Sequence, residues 1–209
     1  MFILENDAVA DDDLGNGAAF VDFWSKFYDY RIHVHGGHEE IDYVTELHTG
    51  QDLTEENCRR LLRWKDPKFL THEILSGPNQ GRANPRVQRA LEILPQMNAF
   101  RRGELTEVQF RDQTAKVFPN GLVWQLFLLH IAQPHAYPIG DQHVFRAFRL
   151  HRHEQGKEDW EFYQRYRVYF GEIARACDIE LRPANAVALK QIDNALMVFG
   201  RFLRAYYRG

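Results

Sequence analysis

Cysteine is scarce in this chain, with two in 209 residues, Cys58 and Cys177. They stand far apart, each inside a stretch that reads as helix. This excludes a disulfide framework and leaves too few thiolates for a four-cysteine zinc or iron–sulfur site. Both are expected as buried free thiols, and no cofactor is expected. Long apolar runs are missing too: nothing approaches the ~18 consecutive apolar residues that a membrane helix needs. The opening MFILENDAVADDD is too acidic, and too briefly apolar, for a secretory leader. No membrane partner is therefore expected, and a reducing cytoplasm is the default compartment. The sequence also lacks internal repeats, low-complexity tracts and a convincing period-two strand pattern.

What is present is the composition of a packed globular chain, 44% hydrophobic and 26% charged, which sets it apart from disordered or fibrous sequences. The net charge of -3 works against nucleic-acid binding, because phosphate neutralisation by Lys and Arg supplies most non-specific affinity. The charge is unevenly spread, however. Residues 1–100 carry 10 basic and 17 acidic side chains, whereas residues 101–209 carry 16 and 12, so the second half can present a basic face.

Punctuation and periodicity predict an all-α fold of about nine helices. Residues 1–16 read as a flexible acidic arm. Phe20, Phe23, Trp24, Phe27 and Tyr28 then recur at helical spacing and are expected in the core of a helix ending before Gly36-Gly37. Asp52 with Glu55, Asp66-Pro67 and Asn84-Pro85 are helix starts, and Pro95 ends or kinks the third of these helices. Thr106 with Gln109 makes a capping box before a helix to about Val117. Phe118-Pro119-Asn120-Gly121 is a turn whose Asn-Gly pair tolerates positive φ. From Leu122 to Ile131 almost no polar face remains, which predicts a central helix. Further helices are expected from Asp141 to about His153, from Asp159 to Cys177 and from Pro183 to about Tyr207. The last should bury Val187, Ala188, Ile192, Leu196, Phe199 and Phe202.

The stretch Phe118–Arg152 carries the chemistry. Its second part, Asp141-Gln142-His143-Val144-Phe145-Arg146, together with the proline-glycine turn about twenty residues upstream, resembles the helix-hairpin-helix DNA glycosylase superfamily. The resemblance implies two helical lobes around a substrate cleft, within one unit spanning 17–209. The middle lobe would cover about 50–140, and the second lobe 17–49 with 141–209. It also implies DNA as the partner and Asp141 as the catalytic carboxylate. Hydrolysis of an N-glycosidic bond builds positive charge on the sugar, which a nearby carboxylate stabilises while it orients or deprotonates water. The turn residues Pro119, Asn120 and Gly121 would grip the DNA backbone, with Arg146 and Arg82 as further phosphate contacts. Trp24, Trp64, Trp124, Tyr137 and His143 are candidates for the walls of the pocket that receives the flipped base.

Where bifunctional members carry a Schiff-base lysine, this chain has Val123 and Trp124, which implies a monofunctional enzyme without lyase activity. Nothing in the spacing of Lys116 recommends it for that role. The turn retains one glycine of the family's glycine-rich hairpin, and the cysteine-ligated cluster of some members is absent.

Other readings of the same residues stand beside these. Asp141 before an apolar-periodic run is also an ordinary N-cap, His143 suits a structural histidine, and Arg146 and Arg149 suit solvated surface. A non-catalytic nucleic-acid-binding or interaction protein on the same scaffold is the alternative function, and a role in phage defence fits either. The cluster His33, His35, His38, Glu39 and Glu40 has metal-ligand residue types but no familiar spacing, so no metal is expected. His151 and His153 read as a solvated helix end. The polar loop Gly77–Pro85 reads as a connection whose end could hold an anion. Ser25 and Ser76 lack a nucleophile-elbow context.

Overall fold

The computed structural model describes residues 17–28, 43, 45–47, 50–65 and 85–206. Among the described residues every regular element is helical: α1 (Gly17–Ser25), α2 (Glu55–Lys65), α3 (Pro85–Glu92), α4 (Leu94–Arg101), α5 (Glu107–Val117), α6 (Leu122–Ala132), α7 (Gln142–Arg152), α8 (Trp160–Ala176), a short 3-10 turn (Pro183–Asn185) and α9 (Ala186–Tyr206). None of these helices is long and apolar enough to cross a membrane. The chain falls into two compact units, residues 29–134 and residues 1–28 with 135–209. The acidic arm 1–16, the His33–Glu40 cluster, the Asp66-Pro67 helix start and positions 77–84 of the polar loop lie outside the described residues.

In the unit 29–134, α2 is capped by Thr54 rather than Asp52. The Thr54 hydroxyl accepts the Asn57 amide at 3.1 Å, while Asp52 pairs with Arg102 at 2.6 Å. On the buried face of α2, Cys58 is fully enclosed, and burial pushes its thiol up to about 12, leaving it protonated and unreactive; Cys177 is half-buried. Pro95 sits in the first turn of α4 and separates it from α3. Thr106 and Gln109 form the reciprocal capping box. Central α6 buries every residue from Leu126 to Ala132.

One device holds this unit's helices that periodicity does not predict. The Arg101 guanidinium, half-buried, donates to the carbonyls of Ile131 at 2.8 Å and Ala132 at 3.3 Å at the end of α6. It also donates to those of Leu47 at 3.3 Å and Gln51 at 2.8 Å. Burial pulls its pKa down, but an arginine stays charged, so its fork satisfies carbonyls that would otherwise be orphaned. Arg101→Lys keeps the charge and loses the fork. It is expected to cost about 2–3 kcal/mol, read as a lower urea midpoint at unchanged m-value.

In the other unit, Phe162, Tyr163, Tyr166, Tyr169 and Phe170 of α8 lie in the core with Val144, Phe145, Ala147 and Phe148 of α7. Leu189, Ile192, Ala195, Leu196, Phe199 and Leu203 form the buried stripe of α9. Val187 and Phe202, expected inside, are exposed at 56% and 43%. The same correction applies to α1. Phe20 is buried, whereas Phe23 and Phe27 are exposed and pack edge-to-face 5.2 Å apart on the surface. Its aromatic stripe is wider than the face it can bury.

His151, at the end of α7, is not solvated. Its ring lies 5.0 Å from Phe199 and 5.3 Å from Phe20, and its Nδ1 pairs with the Tyr169 hydroxyl. Burial, and after it the Arg152 charge, pull it down to about 4. The unfolded chain takes up this proton below about 6.5 and the folded chain only below about 4. Stability should therefore fall as pH drops through that window, by about 3 kcal/mol in total. Urea unfolding between pH 7.5 and 4 checks this, and His151→Gln should flatten the slope over that range.

Candidate functional site

The loop that delivers Asp141 is fastened from α8. The Tyr163 hydroxyl donates to the Pro138 carbonyl at 2.8 Å, and Arg167 Nε donates to the Ala136 carbonyl at 3.1 Å. The Arg167 guanidinium also lies 4.3 Å from the centroid of the Tyr137 ring. Ile139 and Gly140 are buried, so the chain emerges at Asp141 with little freedom left.

Asp141 is the N-cap of α7, with an extended backbone (φ -152°, ψ 173°). One carboxylate oxygen, Oδ1, accepts the amides of His143 at 2.7 Å and Val144 at 3.1 Å. Among the described residues no hydrogen bond engages Oδ2, and the side chain is half-buried. The cap therefore uses one oxygen, fixes the plane of the group and holds its charge at the positive end of a helix. A second acceptor oxygen remains, held in a fixed orientation.

His143 is half-buried. Its Nδ1 lies 3.2 Å from Arg146 Nη1. A guanidinium can only donate, so Nδ1 is the acceptor, the ring is neutral and its proton sits on Nε2. Burial lowers the imidazole pKa. The Asp141 carboxylate opposes that shift, while the Arg201, Arg146 and Arg204 charges add to it. Arg146 Nη1 also donates to the Gly200 carbonyl at 2.8 Å. That guanidinium ties α7 to α9, so Arg146 has a structural task where a phosphate contact was expected.

The α7–α9 crossing is unusually close. A Cβ placed on Gly200 would collide with the His143 carbonyl, with the carbonyl carbon at 2.6 Å. Backbone thus packs on backbone directly behind the Asp141 cap. The contact also sets the position of Arg201, whose charged form the Asp141 carboxylate favours although burial lowers its pKa.

Below the site, the Tyr166 hydroxyl is fully enclosed, with no hydrogen-bond partner among the described residues. Burial pushes the phenol well above its usual value, and the charges of Asp193 and Asp141 add to this. It stays neutral at any working pH. Lys190, Asp193 and Asn194 are buried polar residues of α9, and the Lys190 ammonium donates to Asn194.

In the unit 29–134, Pro119 and Asn120 are exposed and Gly121 is half-buried. The turn closes through Gly121 N–H to the Phe118 carbonyl at 3.0 Å and Gln125 Nε2 to the same oxygen at 2.7 Å. Gly121 adopts φ -117°, and Asn120 is not among the positive-φ residues, so the positive φ that the Asn-Gly pair tolerates is not used. Space at Gly121 is tight: a Cβ there would meet the Phe118 Cβ at 3.3 Å. No side chain caps α6, whose N-cap is Gly121.

The base-pocket candidates are divided between the two units. Within the unit 29–134, Trp64 is buried between Tyr43, stacked at 3.9 Å, and Phe127 at 6.2 Å, so neither face is open to a base. Trp124 is half-buried on Phe118 at 5.8 Å, with the Arg86 guanidinium 5.6 Å from its centroid. In the other unit, Tyr137 is buried under Arg167. Trp24 lies 5.1 Å from Phe199 and 5.3 Å from Phe202, on α9. His143, in the same unit, donates its backbone amide to Asp141. Arg82 lies outside the described residues.

Sequence reasoning missed Gly200, Arg201, Arg204, Tyr166 and Asp193. A signal existed for Gly200, since a glycine inside an otherwise strong helical pattern costs about 1 kcal/mol and implies a packing reason. A groove of about 670 Å³ lined by His135, Gln164, Arg167, Val168, Arg175 and Leu181, among others, does not include Asp141. Among the described residues no cluster of three metal-ligating side chains forms. Comparison with protein families, curated proteins and solved structures finds no match to this chain.

Proposed function

We propose that the chain is a monofunctional DNA glycosylase-like enzyme that removes a damaged or modified base by hydrolysing its N-glycosidic bond, with Asp141 as the catalytic carboxylate. The observation that carries this reading is the split use of Asp141: Oδ1 caps α7 while Oδ2 makes no hydrogen bond among the described residues. In the reaction, the C–N bond breaks and its electron pair leaves with the base. The Oδ2 charge stabilises the cationic sugar and takes a proton from the attacking water as its oxygen bonds to the sugar carbon, and that proton passes on to the departing base anion. The products are the free base and an abasic site in an unbroken strand. The neutral His143 beside it supports the same chemistry, because an imidazole with its proton on Nε2 donates without adding positive charge next to the sugar.

The competing reading, a non-catalytic nucleic-acid-binding protein on the same scaffold, draws on the cap itself, which already gives Asp141 a structural task. Oligonucleotides carrying oxidised, deaminated, alkylated and naturally modified bases separate the two. The enzyme releases a base and leaves strands that break only after alkali, and Asp141→Asn abolishes the release. No release across the panel, with salt-sensitive DNA binding equal in wild type and Asp141→Asn, establishes the competing reading.

A further inference from the structure

We infer that the groove between α8 and the loop that follows it is a peptide-binding site, which takes a chain terminus with an apolar last residue and a free carboxylate. The groove lies within the unit 1–28 with 135–209, and its lining does not include Asp141. The inference therefore stands whether or not Asp141 is catalytic.

The floor comes first. Val168, Gly171 and Arg175 share one face of α8, at steps of three and four residues, and all three line the groove. A glycine inside a helix costs about 1 kcal/mol relative to alanine. At Gly200 close packing explains that cost, but at Gly171 it does not: a Cβ there would meet Leu181 Cδ1 at 3.6 Å, an ordinary contact. What Gly171 provides is a stretch of groove without a side chain. Val168 and Leu181, exposed at 65% and 48%, line the same groove, as do the half-buried Ile179 and the buried Phe170. Apolar surface is thus left open around a bare segment of helix.

The walls are built before a ligand arrives. After α8 the chain turns through Asp178, in the left-handed region at φ 56°, and the Ile179 amide donates back to the Ala174 carbonyl at 2.8 Å. Asn185 Nδ2 holds the next stretch by donating to the Glu180 carbonyl at 2.9 Å. A further wall, Ala136 and Pro138, belongs to the loop that Tyr163 and Arg167 fasten. Little ordering cost remains to be met on binding. The volume of about 670 Å³ is that of a pocket for a drug-sized ligand, more than a single amino acid fills.

Charge selects the ligand. Three carboxylates and two guanidinium groups line the groove. Glu172 is engaged by Arg152 and Glu180 by Arg182 at 3.1 Å, while Arg167 donates to the Ala136 carbonyl and to Gln164 Oε1. The side chains of Arg175 and Asp178 are both exposed, and among the described residues they make no hydrogen bond or ion pair. One unengaged cation and one unengaged anion, three residues apart, suit a ligand with a single carboxylate and an N–H donor beside it. The end of a peptide chain is such a group. Its carboxylate takes the Arg175 fork, its last N–H faces Asp178, and its apolar side chain lies on Val168 and Leu181 over Gly171. A phosphate or a polyanion would meet the acidic excess of the groove instead.

The test is a nitrogen–proton correlation titration of the full chain with the peptide acetyl-Ala-Leu-Leu, as free acid and as C-terminal amide, and with free leucine. The free acid is expected to shift the Gly171, Ile179 and Leu181 amides saturably, and the C-terminal amide to bind at least about fivefold more weakly. Arg175→Gln should bring the free acid down to the affinity of the amide and leave the amide itself unchanged. Asp178→Asn, which a left-handed position tolerates, should weaken both peptides alike. Gly171→Leu fills the groove and should abolish binding, and the milder Gly171→Ala should weaken it several-fold, with circular dichroism melting establishing that each variant is folded. Equal binding of acid and amide would remove Arg175 as the carboxylate anchor and overturn the assignment. Undiminished binding to a folded Gly171→Leu variant, or no saturable shift with either peptide, would overturn the groove as the site. Free leucine that competes as well as the peptide, mole for mole, would keep the carboxylate chemistry and overturn the peptide as its source.

Discussion

Gly200→Ala is expected to destabilise the protein by about 3 kcal/mol, the reverse of the usual effect of alanine in a helix. In an exposed helix interior this change stabilises by roughly 1 kcal/mol. Here the new methyl group would meet backbone, the carbonyl oxygen and carbon of His143, with the His143 Cα at 3.1 Å. A flexible side chain can turn away, but a carbonyl inside the first turn of α7 moves only with its helix, so the cost lies at the upper end of the range for overpacking. Gly171 of α8 supplies the internal control. A Cβ there would meet the Leu181 Cδ1 at 3.6 Å, an ordinary contact, and Gly171→Ala should be neutral or stabilising by up to about 1 kcal/mol. Urea unfolding of the two variants reads the sign directly. Two shifts in the same direction would mean that the α7–α9 crossing is looser than described, and with it the support beneath Asp141.

Asp141→Asn and Asp141→Ala should separate the two tasks of one carboxylate. Asparagine caps a helix about as well as aspartate, so Asp141→Asn is expected to keep stability within about 0.5 kcal/mol. Asp141→Ala leaves the His143 and Val144 amides without their acceptor and should cost about 1 kcal/mol or more. Base release responds differently. An amide carries no charge and accepts no proton, so both variants should lose at least about a hundredfold. The pattern to look for in paired unfolding and single-turnover measurements is a stable, inactive Asn variant. An Asn variant that releases the base at the wild-type rate would reduce Asp141 to a cap.

Much of the helical layout was legible in the sequence because its signals are local. The Thr106–Gln109 capping box, the Asp141 cap, the Pro95 break and the burial of α6 each depend on side-chain chemistry within a few residues. What escaped depends on partners distant in the chain. Phe23, Phe27 and Phe202 match a helical stripe as well as any core residue, yet periodicity says which residues share a face and not how wide a face the neighbours can cover. Asp52 looked like a cap because Glu55 stands at the right spacing. It pairs instead with Arg102, fifty residues away, while Thr54 takes the cap. At the site, Asp141 and His143 were visible as a motif, but Gly200, Arg201 and Arg204 belong to a helix that meets them only through the fold. Nothing local distinguishes Arg201 or Arg204 from the solvated arginines expected near any helix C-terminus.

The Arg101 clasp has a consequence for the order in which the chain assembles. Its hydrogen bonds reach carbonyls 50 and 54 residues back and 30 and 31 residues forward, so the full set exists only once both intervening stretches have closed into loops. Helices α4, α5 and α6 can meet beforehand through short-range contacts, which form fast. The clasp therefore belongs on the native side of the folding barrier, where it works as a latch: its loss leaves the speed of folding nearly unchanged and shortens the life of the folded unit instead.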